Sequence, residues 1–166
     1  MNQFNKILVA IDYSKNSEYA FNYAIELAKQ FKGELTIINV INEPVDMARI
    51  LFPYISYEQL EDAIMEDAAK MMEKFCSEQM GGFTNYKTVI ARGIPYQEIV
   101  RESQEMGATL LVIGTHGYTG IEHLIFGSTA ERVVRSASCP VLTVRLPVLA
   151  IRLTVREELP EPVPVC

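Results

Sequence analysis

Cysteine and histidine are scarce in this chain, with three and two among 166 residues. Cys76, Cys139 and Cys166 stand far apart and in odd number, with no C-x2-C pair to grip a metal or begin a disulfide framework. The plain expectation is a reduced, cytoplasmic setting. His116 and His123 have no partner at metal-ligand spacing and read as a polar loop residue and a surface residue. No metal held by protein side chains is expected. Cations are short too: 15 Lys and Arg against 21 Asp and Glu leave a net charge of −6. That excludes the clustered positive charge on which nonspecific DNA or RNA binding depends. It leaves a phosphate ligand open, because backbone N–H groups at a helix terminus supply a local positive field. Long apolar runs are missing, so no transmembrane helix is expected. The opening "MNQFNKILVAID" holds one lysine and an apolar stretch too short for a signal peptide. Three well-known site motifs are also lacking: the G-x-x-x-x-G-K-[ST] phosphate loop, a G-x-G-x-x-G after the first strand, and the G-x-S-x-G nucleophile elbow.

Against these gaps stands an ordinary globular composition, 49% apolar and 22% charged. A single domain of this length buries roughly 70% of its unfolded surface. "KILVAID" (Lys6–Asp12) is a continuous apolar run ended by a polar residue, the mark of a buried strand. Ser14 is placed to cap the helix that follows, with Ala20, Ala24, Leu27, Ala28 and Phe31 on one face and Gly33 to stop it. "ELTIINVI" (Glu34–Ile41) is a second strand. Residues from Asn42 to about Ser56 hold two prolines and no period, a long connection of the kind that often covers a site. A helix is expected from about Tyr57 to Gln79, with Leu60, Ile64, Ala68, Met71, Met72 and Phe75 inward. Its Glu61, Asp62, Glu66 and Asp67 make a solvated face. Next come a third strand (Tyr86–Gly93) and a helix with Pro95 in its first turn and Gly107 at its end. "ATLLVIG" (Ala108–Gly114) is the fourth strand. "STAERVVRSAS" (Ser128–Ser138) makes a helix and "CPVLTVR" (Cys139–Arg145) a fifth strand, with Pro140 at its beginning.

Apolar strands alternating with helices predict an α/β domain: a doubly wound, five-stranded parallel sheet with helices on both faces. Ligands bind such sheets at the carboxyl ends of the strands, where strand order reverses. Asp12 and Gly114 both lie at carboxyl ends, and share one crevice if the first and fourth strands are neighbours.

The segment "GTHGYTGIEHLIFGST" leaves the fourth strand through closely spaced glycines and reaches a fourth, Gly127, followed by Ser128 and Thr129. Two readings stand side by side. In one, the glycines make a tight connection and Ser128 is an ordinary N-cap. In the other, the free N–H groups of Ser128, Thr129 and Ala130 attract an anion while Gly114 and Gly117 let the backbone approach it.

The spacing G-x2-G-x9-G-S, set between a "VIG" strand and a "CPV" strand, closely resembles the ATP-binding branch of the universal stress protein family. The resemblance covers nearly all of residues 4–145, including "ILVAIDYSKNSEYA" and "ARGIPYQEIV". It implies an adenine nucleotide alpha hydrolase-like fold and a bound ATP, ADP or AMP, with Mg2+ or Mn2+ riding on the phosphates. By position it implies that Asp12 holds the ribose hydroxyls, although alone this residue reads as a helix-capping carboxylate. Ala10 and Ile11 would line the base pocket, the Val40 backbone would contact adenine, and Ile113 and Gly114 would flank base and sugar. Gly117, Gly127, Ser128 and Thr129 would cradle the phosphates, with Thr115 and His116 in the same loop.

No nucleophile–base pair and no lysine stand within the motif, so any hydrolysis is expected to be slow. The first reading is a nucleotide-dependent stress or signalling module. The alternatives are a hydrolase or phosphotransferase using the same pocket, and a dimeric scaffold that binds no nucleotide. The fifth strand is expected at a sheet edge, and the resemblance implies a homodimer through it. No membrane partner is expected. The resemblance ends near Arg145. Residues 146–166 form an extension with two readings: an extra strand at Val148–Val155 that would replace or enlarge the dimer contact, or an irregular tail without a role. The Pro-rich end is expected to be extended or disordered.

Overall fold

The structure, a computed structural model, describes residues 4–42, 57–115 and 127–147. Residues Ile7–Ile11 are all buried, as a central parallel strand covered on both faces must be. They belong to β1 (Lys6–Ile11), followed by α1 (Lys15–Phe31), β2 (Glu34–Ile41), α2 (Tyr57–Gln79), β3 (Tyr86–Arg92), α3 (Pro95–Glu105), β4 (Leu110–Gly114), α4 (Ser128–Ser136) and β5 (Val141–Val144). The sheet order is β3-β2-β1-β4-β5, with every pairing parallel. The chain winds outward from β1 to β3, then returns to the other side of β1 with β4. Strand order therefore reverses between β1 and β4, where Ala10 sits beside Ile113. The carboxyl ends of these two neighbours flank the crevice expected of such folds.

Strand alternation sorts the core into two halves. Ile7, Val9, Ile11, Leu35 and Ile37 pack with Phe21 and Ala24 of α1 and Met72 and Phe75 of α2. Leu8, Ala10, Ile38, Leu111 and Ile113 pack on the other face with Ile99 of α3 and Ala130 and Val133 of α4.

Helix ends follow local chemistry, with two corrections. Ser14 caps α1 as expected, its Oγ accepting from the Ser17 N–H at 3.2 Å. Gly33, however, is not the left-handed residue that stops the helix. Lys32 takes that conformation (φ 52), and the Gly33 N–H closes the turn onto the Ala28 carbonyl at 2.9 Å. Gly33 is required for another reason: a Cβ there would stand 2.8 Å from the Phe4 carbonyl oxygen. Pro95 opens α3, and Gly107 (φ 64) ends it, with the Ala108 N–H bonded back to Ser103 O at 2.8 Å.

The second correction concerns α2. Met72 and Phe75 face inward, joined by Cys76 and Met80, but Met71 is 52% exposed and Ile64 41% exposed. The buried stripe 72-75-76-80 keeps helical spacing, and Met71 falls about 100° from Met72 around the helix, outside it. The Leu60 and Glu61 side chains lie outside the described residues. Asp62, Glu66 and Asp67 are exposed as expected, with Lys70 bonded to Glu66 at 2.7 Å.

The remaining differences are at element ends. β1 and β3 stop one residue early, β4 begins at Leu110, α4 stops at Ser136 and β5 begins at Val141. Pro140 still serves the sheet through its carbonyl, which accepts from Leu111 N–H at 2.9 Å. The span 43–56 and the extension beyond Pro147, including the candidate strand Val148–Val155, lie outside the described residues.

Candidate functional site at the strand switch point

The first wall of the crevice is built by the turn from β1 into α1. Asp12 Oδ1 accepts from the Ser14 N–H at 3.1 Å and from the Ser14 hydroxyl at 2.6 Å. The Asp12 N–H donates to Ser17 Oγ at 3.2 Å, and that hydroxyl donates to the Ser14 carbonyl at 2.9 Å. The carboxylate thus supports the capping serine rather than capping the helix itself. Between them, Tyr13 has a left-handed backbone (φ 63), which costs a β-carbon-bearing residue roughly 1–2 kcal/mol. Its ring meets Phe75 edge-on with centroids 5.8 Å apart. Burial, with a smaller contribution from Cys76, pushes the Tyr13 phenol up to about 12.

Three residues of this wall escaped sequence reasoning. Ser17 is buried at the second contact of the turn, three residues after the cap. Asn39 is buried within β2 and donates from Nδ2 to the Ile11 carbonyl at 2.9 Å, which pins the last residue of β1. An asparagine inside a strand of apolar residues is a readable signal, because a buried amide is kept only where it has a partner. Tyr13 left no such signal, since a left-handed tyrosine cannot be read from residue type.

The second wall is the end of β4. A Cβ on Gly114 would stand 3.0 Å from Asn16 O and 3.2 Å from Asn16 C. The close approach that Gly114 permits is therefore made by the first turn of α1. Thr115 is buried. Its N–H donates to Val144 O at 2.9 Å, and its carbonyl accepts from the Gly127 N–H at 2.7 Å. That last bond brings the start of α4 to the mouth of the crevice.

At α4 the N-cap is Gly127 (φ −70, ψ 154), not Ser128, and among the described residues no side chain caps the helix. The reading of Ser128 as N-cap is thereby corrected: a serine at the first helical position cannot reach back as a cap does. Ser128 is exposed and Thr129 half-buried. His116 and Gly117, named above for the phosphate loop, lie outside the described residues, as does His123.

Of the remaining candidates, Ala10, Val40 and Ile113 all pack on the α3–α4 face of the sheet. Ile11, buried at 4% exposure, turns to the α1–α2 face. The Ala10 and Ile11 side chains thus part to opposite layers. Among the described residues no cluster of His, Cys, Asp and Glu is arranged to hold a metal ion, and no helix is long and apolar enough to cross a membrane. The end of β1 thus leads to a carboxylate, and the end of its neighbour β4 is bonded to a helix start whose N-cap is glycine.

Comparison with known proteins agrees with this architecture. The model of the universal stress protein family matches residues 3–145. Universal stress protein YxiE of Bacillus subtilis is 32% identical over 147 residues, covering 86% of this chain and 99% of that protein. Universal stress protein UspA from Lactobacillus plantarum superposes with a TM-score of 0.68 at 28% identity, over 86% of this chain and 98% of that one. A universal stress protein in complex with cAMP shares the fold at a TM-score of 0.55 and 24% identity, over 85% of this chain and 96% of that one.

Proposed function

The chain belongs to the universal stress protein family, and on that premise we propose that it is an adenine-nucleotide-binding module of the stress-response type, with ATP as its ligand. One observation carries the reading. Among the described residues no side chain caps the N-terminus of α4, and the Gly127–Thr115 bond ties it to the end of β4. Free N–H groups and the helix dipole at a sheet's switch point suit phosphate oxygens. The donor set fits the rest of the nucleotide as well. Asp12 stands at the end of the neighbouring strand and supplies a carboxylate for ribose hydroxyls. Ala10, Val40 and Ile113 supply apolar surface near the strand ends for a base.

In this reading Gly127, Ser128 and Thr129 bind the phosphates through backbone N–H groups and two hydroxyls. Gly114 contributes indirectly, by letting α1 pack close to β4. A Mg2+ or Mn2+ ion would neutralise phosphate charge and be held chiefly by the nucleotide. The chain's own residues bind and orient. None is assigned to abstract a proton from water or to stabilise a leaving group, so turnover is slow or nil. A solved universal stress protein with cAMP indicates that the fold accommodates an adenine nucleotide. The chain acts as a homodimer through the edge strand β5.

The test is mass identification of whatever freshly purified protein releases on denaturation, paired with ATP–Mg2+ titration of the wild type and Gly127→Val. Valine is compatible with the observed φ of −70, so the variant should fold while its side chain crowds the helix start. The expected result is adenine nucleotide in the wild type and affinity at least about tenfold weaker in the variant. No nucleotide released and no binding up to about millimolar ATP would sink the reading.

A further inference from the structure

Tyr13 stands directly after Asp12 and combines two features that are unfavourable taken singly. Its backbone is left-handed (φ 63), where glycine or asparagine would sit more easily. Its phenolic oxygen is buried and has no hydrogen-bond partner among the described residues, where phenylalanine would avoid the loss. The ring is set into the α1–α2 half of the core. It lies edge-on to Phe75 of α2 with an interplanar angle of 70°, and Phe75 in turn lies edge-on to Phe21 of α1 with centroids 5.0 Å apart. An aromatic anchor in a left-handed turn settles one thing above all, the direction of the peptide that joins it to its neighbour. That neighbour is Asp12, whose preceding residue is already held by Asn39 through the Ile11 carbonyl. The aspartate is thus clamped from both sides, by a hydrogen bond before it and by a packed ring after it.

We propose that Tyr13, braced against Phe75, is a positioning residue for sugar recognition, holding the turn that presents the Asp12 carboxylate to the ribose hydroxyls. α2 then takes part in sugar selectivity without touching the ligand. The proposal rests on the adenine-nucleotide reading above and adds to it the element that sets which sugar the site prefers. In the reading above the phosphates fall to α4 and the sugar to this turn, two different elements, so the two parts of the site can be probed separately.

The experiment titrates ATP–Mg2+ and 2′,3′-dideoxy-ATP–Mg2+ into the wild type, Tyr13→Phe, Tyr13→Gly and Phe75→Leu, with circular dichroism to verify folding. The wild type is expected to favour ATP by roughly tenfold or more, the worth of hydrogen bonds to a charged group. Tyr13→Phe keeps that preference. Tyr13→Gly and Phe75→Leu lose most of it while holding dideoxy-ATP within about threefold of the wild type, since phosphate and base contacts remain. If Tyr13→Gly fails to fold, Phe75→Leu carries the test, because it retains apolar volume. An unchanged ATP preference in the folded variants, or equal weakening of both nucleotides, overturns the proposal and leaves the nucleotide site standing. A wild type that binds neither nucleotide overturns both readings.

Discussion

At the end of α1, two adjacent residues divide what one glycine often does. Lys32 adopts the left-handed turn, and Gly33 admits the backbone of residues 4 and 5, whose carbonyl oxygens would lie 2.8 and 3.2 Å from an added Cβ. Both neighbours are main chain and cannot rotate aside. Gly33→Ala should therefore cost about 1–3 kcal/mol, as overpacking does. Lys32→Gly should instead gain roughly 0.5–1 kcal/mol by removing the β-carbon clash of a left-handed residue. Urea midpoints of the two variants decide the matter. Equal midpoints for wild type and Gly33→Ala would mean that the close approach is absent in solution. Sequence reading found Gly33 and its place at a helix end. It assigned the wrong task, because the atoms that forbid a side chain there belong to Phe4 and Asn5, far away in the chain.

Among the elements, β5 is one of the sheet's two edge strands, opposite β3. Its partner on one side is β4, through bonds to the carbonyls of Pro140 and Val144. Since main-chain groups alternate along a strand, Val141 and Thr143 direct theirs to the outer edge. That edge is unpaired among the described residues, the kind of row that invites a second strand. Thr143→Pro removes one outward N–H and leaves the ladder to β4 in place, as proline on an edge strand does. If the homodimer forms through β5, sedimentation should show dimeric wild type and a largely monomeric variant with native circular dichroism. A variant as dimeric as the wild type would place the contact elsewhere. The edge position of β5 was legible from the order of strands and helices. The inner face of α2 was read less well, since apolar residues at Ile64 and Met71 satisfy a helical period without being covered.

At the scale of the whole molecule, two helices on each face bury the sheet's sides and leave the strand ends as the place where polar groups gather. A ligand there binds the native state and not the unfolded chain, so it must stabilise the protein by mass action. ATP–Mg2+ at a hundred times its dissociation constant should add about 2.7 kcal/mol, a rise in Tm of roughly 5–10 °C for a domain of this size. Differential scanning calorimetry with and without nucleotide measures it directly. A Tm unmoved by ATP at concentrations that saturate the titration would contradict a site formed only in the folded protein.

By itself the sequence determined the five strands, the parallel doubly wound arrangement and the candidacy of Asp12 and Gly127. Continuous apolar runs, helix caps and glycine spacing are local properties, written in consecutive residues. Tertiary structure alone decided that Gly114 yields to Asn16 and that Gly127, bonded to Thr115, caps α4 in place of Ser128. It also decided that Asn39 and Tyr13 hold the approach to Asp12 from two sides. Those outcomes depend on contacts between residues separated by tens of positions. Such contacts come into being only when the sheet closes and the helices pack, and no local pattern along the chain encodes them.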